Sequence, residues 1–336
     1  MYSIGKKEAA PKLLEMMARQ EGFAGGYYTG IATIHDKKLY HAKVIGDLST
    51  LINEANDKEL PGSIGIIHSR SKSGGDIEWS HPFVDEQEQM AYIANGMRGV
   101  FTKEQDQNAI AQMLVNSGHI FKSKTQGVIE DYPLLSDGTS IHFSDVMCHL
   151  IESFITECGG PIEAMRKAFV TFPSEIVGLM VHTDIPDCIV ASRINQPLVI
   201  GRDEEATYLA TTAIALPDVH WSCAMPTNAT AAVYREKIHV LPFESPPKQV
   251  AYTLPWYEGY QKIIHLLSDG EPRDLGTILN ATASLWPKDV VSQKDMMGYE
   301  ILYSLNRSGK VRFQTITVDG VLTGITAPKK QVILEE

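Results

Sequence analysis

The chain reads as an α+β protein, and three observations predict it. Short apolar strands recur in pairs around tight turns, helices of period 3.6 fall between them, and the two kinds of segment alternate in pairs along most of the chain. This alternation is consistent with a four-layer αββα sandwich. After residue 245 the character changes to three helical patterns followed by a β-ribbon. Two units are therefore expected: residues 1–245, and residues 246–336 as a small, winged-helix-like α/β domain.

Ala10, Leu13, Leu14 and Met17 fall at i, i+3, i+4 and i+7, which predicts an amphipathic helix over 7–20. Gly22, Gly25 and Gly26 end it. Tyr28 to Ile34 and Leu39 to Val44 read as strands turning at Asp36-Lys37, and 47–56 as a short helix. Ile64 to Ile67 is an apolar run of strand length, and Met90 to Ala94 is a second. Residues 103–116 carry a helix with Thr102 as its expected cap. From Gly118 to Thr139 the pattern is irregular, long enough for a functional loop or for short elements without a clear period.

His142-Phe-Ser-Asp145 leads into a helix with Val146, Leu150, Ile151 and Phe154 on one face, and Asp145 has the place of a cap. A helix over 161–172 precedes strands at 176–182, 188–192 and 198–200, then at 208–216, 229–234 and 237–242. Pro246-Pro247 marks a linker. Beyond it, Tyr260, Ile263, Ile264 and Leu267 define one helix, and Leu275, Ile278, Leu279 and Thr282 a second. Gly298, Ile301, Leu302 and Leu305 define a third. Strands are expected at 309–313 and 318–325 around Asp319-Gly320, with Pro328 and Val332 to Leu334 beyond.

An apolar content of 43% supports a substantial core, and a net charge of −11 argues against a general nucleic-acid binder. Residues 250–336 carry nine Lys/Arg against ten Asp/Glu, and only Arg307, Lys310, Arg312, Lys329 and Lys330 cluster. A docking or dimerising domain suits that charge better than a DNA reader. The four cysteines, at 148, 158, 188 and 223, lack metal-ligand spacing and are expected as reduced thiols of a cytoplasmic protein. No signal peptide or membrane-spanning run is seen, and with no metal-ligand cluster or phosphate loop in the sequence, neither metal nor cofactor is expected.

The chemistry concentrates where strands end. The run ending in Ile67 delivers His68, Ser69 and Arg70 to a loop rich in Ser and Gly, where a guanidinium can grip a carboxylate by two parallel hydrogen bonds. The second strand ends in Asn95-Gly96, an amide side chain beside a glycine N–H, which together can stabilise an oxyanion. The plainer reading makes these ordinary strand-end polar groups and a turn.

The segments GIIHSRSKSGG at 65–75, SHPF at 80–83 and ANG at 94–96 stand in one order with regular spacing. They resemble G-I-G-H-T-R-W-A-T-H-G, A-H-P-H and H-N-G of the glutaminase domain of class II glutamine amidotransferases, especially the glucosamine–fructose-6-phosphate aminotransferases. LLEMMARQEGFAGGYYTGIA, ending at Ala32, resembles a further family segment, and the likeness continues through Ser144-Asp145 to about Phe243. The resemblance implies the N-terminal-nucleophile hydrolase fold. It implies a pocket that binds the glutamine carboxylate at Arg70, its amino group at Asp145 and the oxyanion at Asn95 and Gly96, with His68 and His81 as further substrate-binding residues.

In that family an N-terminal Cys attacks the side-chain amide, ammonia leaves, and a thioester is hydrolysed. This sequence opens Met1-Tyr-Ser-Ile-Gly5 and has no Cys before 148. Placing Leu13-Leu14-Glu15 on the family's L-L-E puts Met1 a few residues inside the usual start. The nucleophile-bearing strand is thus expected to be missing or altered: either a short leading segment precedes this sequence, or the nucleophile is lost. Ser3 could replace it only if Met1 and Tyr2 were removed. Ser71 stands for the family's Trp, Gly74 for its second His, Tyr28 for an Asp, and Thr211-Thr212 for an Ala-Ser-Asp-like segment. The resemblance therefore implies glutamine binding, with hydrolysis if an upstream Cys exists and ammonia then released or passed to a synthase subunit. The alternative is a non-catalytic module for ligand sensing or assembly, its C-terminal domain docking a partner or self-associating.

Overall fold

The structure, a computed structural model, describes residues 2–54, 60–72, 74–97, 99–103, 106–245, 253–288, 290 and 294–335; the expected Pro246-Pro247 linker lies outside them. Elements run in order as β1 (Tyr2–Gly5), α1 (Ala9–Gln20), β2 (Tyr28–His35), β3 (Lys38–Ile45), α2 (Leu48–Glu54) and β4 (Ile64–Arg70). Next come β5 (Phe83–Val84), β6 (Met90–Met97), α3 (Gln107–Asn116), β7 (Thr125–Gln126), β8 (Thr139–Ser140), α4 (Phe143–Cys158) and α5 (Pro161–Thr171). Seven strands follow: β9 (Glu175–His182), β10 (Ile189–Arg193), β11 (Val199–Arg202), β12 (Ala206–Ala210), β13 (Trp221–Ala224), β14 (Ala229–Val233) and β15 (Ile238–Pro242).

Two antiparallel sheets result, ordered β13-β11-β12-β1-β4-β2-β3 and β15-β14-β10-β9-β6-β5. One core joins α1 to the first sheet and to the inward face of the second, through Leu13, Met16, Ile31, Ile66, Ile93, Leu179 and Ala191. The outward residues of the second sheet, among them Tyr92, Met180 and Val190, form another core with α3, α4 and α5. Helix, sheet, sheet and helix are thereby stacked, because each sheet is apolar on both faces and needs a cover on each. The β2–β3 hairpin turns at Asp36 and Lys37, both at positive φ (49° and 57°), the conformation that matches the strands' right-handed twist.

Several boundaries differ from the sequence reading. A leading strand is present: β1 pairs with both β12 and β4, setting Ile4 opposite Thr207 and Ile64. A strand at this position is therefore not missing, although it carries no Cys. Asp106 caps α3 in place of Thr102, accepting from the N–H groups of Asn108 and Ala109. His142 caps α4 in place of Asp145, its Nδ1 accepting from the Ser144 N–H. The region 118–139 contains one minimal ribbon, β7 with β8. Residues 208–216 divide into the end of β12 and a 3₁₀ turn at 213–215.

The rest of the chain forms α6 (Trp256–Leu267), β16 (Arg273–Asp274), α7 (Leu275–Thr282), α8 (Lys294–Arg307), β17 (Val311–Asp319) and β18 (Thr326–Leu334). The second ribbon strand thus begins at Thr326, and 320–325 is the turn, where a strand over 318–325 was expected. The sheet order is β16-β18-β17. Its core of Ile263, Leu267, Ile278, Ile301, Leu302 and Val332 also takes in Phe23, which meets Tyr299 and Phe313 edge-on at 6.3 and 4.8 Å between centroids. Lys330 Nζ donates to the carbonyls of Ala18 (2.8 Å) and Glu21 (2.6 Å), where α1 leaves its last acceptors unpaired. Among the described residues no helix is long and apolar enough to cross a membrane.

Candidate functional site

The ends of β4 and β6, one strand from each sheet, open on a cavity of about 480 Å³. His68, Arg70, His81, Asn95 and Gly96 all line it. Arg70 is 5% exposed. Its guanidinium donates to the carbonyls of Trp79 (3.3 Å) and Gly74 (3.0 Å) and lies over the Tyr28 ring at 4.6 Å, with Trp79 and Tyr132 at 5.6 and 6.0 Å. Stacked against aromatic rings, the cation keeps a fixed orientation, and the rings and carbonyls offset part of the solvation that it loses on burial. Gly75 makes this packing possible: at φ +93°, a Cβ there would lie 2.1 Å from the Trp79 ring.

Three imidazoles, of His68, His81 and His142, line the cavity. His81 lies 4.0 Å from His68 and 5.2 Å from His142 between ring centroids, and Phe83 stacks on His142 at 4.8 Å. Burial pushes the His68 pKa down to about 3 and those of His81 and His142 well below the ordinary value, so all three rings are neutral at physiological pH. His142 Nδ1 accepts a hydrogen bond, which places its proton on Nε2. Both ring nitrogens of His81, and Nδ1 of His68, are buried with no hydrogen-bond partner among the described residues. Unpaired buried nitrogens cost about 1–3 kcal/mol each, so this packing of imidazoles is destabilising by itself.

Asp145 is not brought to the cavity. It is 1% exposed, and its Oδ2 accepts from the N–H and hydroxyl of Ser123 at 3.1 and 2.8 Å. Its Oδ1 faces His149 Nε2 at 3.6 Å. The acidic groups that do line the cavity are Glu130 and Asp131, from the segment without a period in the sequence. Sequence reasoning also missed His142, Tyr132, Tyr28 and Trp79. The first lay hidden as a helix cap, and the aromatics are brought together only by folding.

Behind the cavity wall lies Glu21. Its carboxylate accepts from the Leu48 N–H with both oxygens (3.0 and 3.1 Å) and from the Ser69 hydroxyl at 2.9 Å. Burial pushes its pKa up to about 7, against the pull of those bonds and of Lys330, and with some help from Asp47. Ser69 Oγ in turn accepts from the Gly26 N–H at 2.7 Å. No cysteine lines the cavity; Cys148 and Cys188 are buried, and burial pushes both thiols up. Away from the cavity, folding gathers Glu86, His119 and His149, whose ligand atoms lie within 4.8 Å of one another, though their sequence spacing gave no metal pattern.

No family model matches the chain. Glutamine–fructose-6-phosphate aminotransferase of Zymomonas mobilis is 26% identical over 215 residues, covering 63% of this chain and 31% of that protein. The Bartonella henselae enzyme of the same name is 26% identical over 259 residues, covering 76% and 38%, and the Clostridium tetani enzyme 28% over 210, covering 62% and 30%. The chain thus spans about a third of the length of these relatives. Among solved structures, glutamine phosphoribosylpyrophosphate amidotransferase of B. subtilis, complexed with ADP and GMP, matches with a TM-score of 0.59 at 16% identity, over 84% of this chain and 63% of that one. A structure described as the allosteric regulatory enzyme of purine biosynthesis matches with a TM-score of 0.57 at 16% identity, over 81% and 58%. The structural likeness shows a shared fold, and the sequence relatives support the class II glutamine amidotransferase family.

Proposed function

We propose that residues 1–245 form an N-terminal-nucleophile-hydrolase-like glutaminase unit that binds glutamine or a related amino-acid amide. The carboxylate of the ligand meets Arg70, and its side-chain amide points to Asn95 and the Gly96 N–H. The observation that carries this reading is the cavity itself, which joins a buried, aromatic-clamped Arg70 from one sheet to Asn95-Gly96 from the other. In this reading Glu130 and Asp131 take the ammonium group, while Asp145 acts from behind the wall, through Ser123 and α4.

Binding without hydrolysis by the described residues is the form we favour, because they bring no thiol to the cavity. A Cys preceding β1 would restore the family's nucleophile to a strand that already pairs beside β4. Residues 246–336 are proposed as a winged-helix-like unit that docks a partner: three helices with the β16-β18-β17 sheet support the first part, and the lack of a net basic charge argues against DNA binding.

The test is calorimetric titration with L-glutamine beside an ammonia-release assay, on this chain and on one with a Cys-first extension. Glutamine binding is expected in both, and ammonia only from the extended chain. Arg70→Met should weaken binding by about 2–5 kcal/mol, as for a severed buried charge pair. Absence of glutamine binding in both chains overturns the reading.

A further inference from the structure

We propose that Glu86, His119, His149 and Glu152 form a site for one divalent metal ion, with zinc the ion their chemistry suits best. The four residues converge from the turn after β5, the segment after α3, and α4, where His149 and Glu152 stand three apart on one helix face. Nδ1 of His149 and Nδ1 of His119 approach the same oxygen, Glu152 Oε2, at 2.9 and 3.2 Å. Glu86, His119 and His149 each place a ligand atom within 4.8 Å of the other two. Ligands at about 2.0–2.2 Å around tetrahedral zinc lie about 3.3–3.6 Å apart, so the His119–Glu152 edge is nearly in place and the His149–Glu152 edge needs to open by about half an ångström.

His149 is fully buried, and its Nδ1 is the nitrogen turned to the cluster. Its Nε2, on the far edge of the ring, faces Asp145 Oδ1 at 3.6 Å, and Asp145 is itself held by Ser123. A carboxylate behind the imidazole is what a metal-bound histidine uses to fix its tautomer and raise its basicity. Glu86 is likewise oriented, its Oε1 accepting from the Ile120 N–H at 2.8 Å. Two imidazoles with two carboxylates favour zinc over magnesium or calcium, which prefer all-oxygen shells. Glu86 is exposed, so the ion has a way in from solvent. On binding, zinc displaces the imidazole protons that otherwise bridge to Glu152.

The experiment uses the full chain carrying Cys223→Ser, since that exposed thiol would bind zinc by itself. After dialysis against chelator, it is titrated with zinc chloride by calorimetry and with cobalt(II) by visible absorption. One equivalent of zinc, the intense d–d bands of tetrahedral cobalt and a higher thermal midpoint are expected. His119→Ala and Glu86→Gln, both on the open side, should each weaken zinc binding at least about tenfold with the circular dichroism spectrum unchanged. Asp145→Asn should weaken it while leaving the stoichiometry at one. Absence of stoichiometric zinc binding and of the cobalt bands, or undiminished affinity in His119→Ala, overturns the proposal.

Discussion

Replacing Glu21 by Gln should remove most of one pH-dependent contribution to stability. Glu21 is 5% exposed and its carboxyl titrates at about 7, raised by burial from 4.5. A raised acid binds its proton more tightly in the folded state than in the unfolded state. Its contribution is therefore complete below about pH 4.5 and is lost as pH rises through 7. A difference of about 2.5 units corresponds to about 3 kcal/mol between pH 4 and pH 8. The substituted amide keeps an oxygen at the Oε1 position for the Leu48 N–H and the Ser69 and Thr29 hydroxyls, and its nitrogen takes the Oε2 position, giving up the second Leu48 contact at 3.1 Å.

The assay is the thermal midpoint of wild type and Glu21→Gln across that pH range. The other groups cancel in the difference between the two proteins. At about 2 °C per kcal/mol for a chain of this size, the variant should gain about 6 °C on wild type from the acid to the alkaline end. Parallel profiles would refute the reasoning.

Other expectations concern the cavity and its supports. Gly30→Ala puts a Cβ 2.1 Å from the His81 carbonyl oxygen and 2.9 Å from that of Ala42, both backbone atoms, so urea unfolding should show a loss of about 3 kcal/mol; a loss under about 1 kcal/mol contradicts the close approach. His81→Phe removes two unpaired buried nitrogens, worth about 2–6 kcal/mol together, against about 1–3 kcal/mol for crowding a larger ring into a packed place, so stability should rise by about 1–3 kcal/mol while glutamine binding weakens. A variant unchanged in both respects would deprive His81 of any part in ligand binding. Lys330→Met should cost about 1–2 kcal/mol by stranding the carbonyls of Ala18 and Glu21, and should speed amide exchange over residues 18–26; unchanged exchange refutes that link.

The two-sheet architecture was legible because periodicity survives in a single sequence. Leu13 with Met17, Ile64 to Ile67 and Met90 to Ala94 each declare a buried face without reference to any other segment. Arg70 and Asn95-Gly96 were legible because strand ends are where a β-rich fold presents polar groups. What depends on tertiary contact was not. Glu130 and Asp131 reach the cavity along a segment with no period, and Tyr28, Trp79 and Tyr132 surround Arg70 from well-separated stretches of the sequence. The strand β1 escaped notice because four residues are too few to show alternation. The cap at His142 was assigned to Asp145, since imidazole nitrogen is a rarer acceptor there than carboxylate.

The segment from Glu21 to Gly26 has the cavity on one side and the third core on the other. Gly25 lines the cavity, Gly26 donates to Ser69, and Glu21 accepts from Ser69, while Phe23 packs edge-on against Tyr299 and Phe313. Lys330 on β18 holds the same segment through the Glu21 carbonyl, and Lys72, which lines the cavity, donates to the Gly320 carbonyl at 3.3 Å. A change in how the C-terminal unit sits would therefore reach the cavity through Lys72 and through the neighbours of Ser69. Phe23→Ala empties an aromatic site in that interface, a loss of about 3–5 kcal/mol for a buried Phe. Phe23 does not line the cavity, yet the variant should bind glutamine less tightly, with Lys330→Met shifting affinity in the same direction. If calorimetry finds wild-type affinity in both while amide exchange shows the C-terminal ribbon released, the two units share a border without energetic coupling.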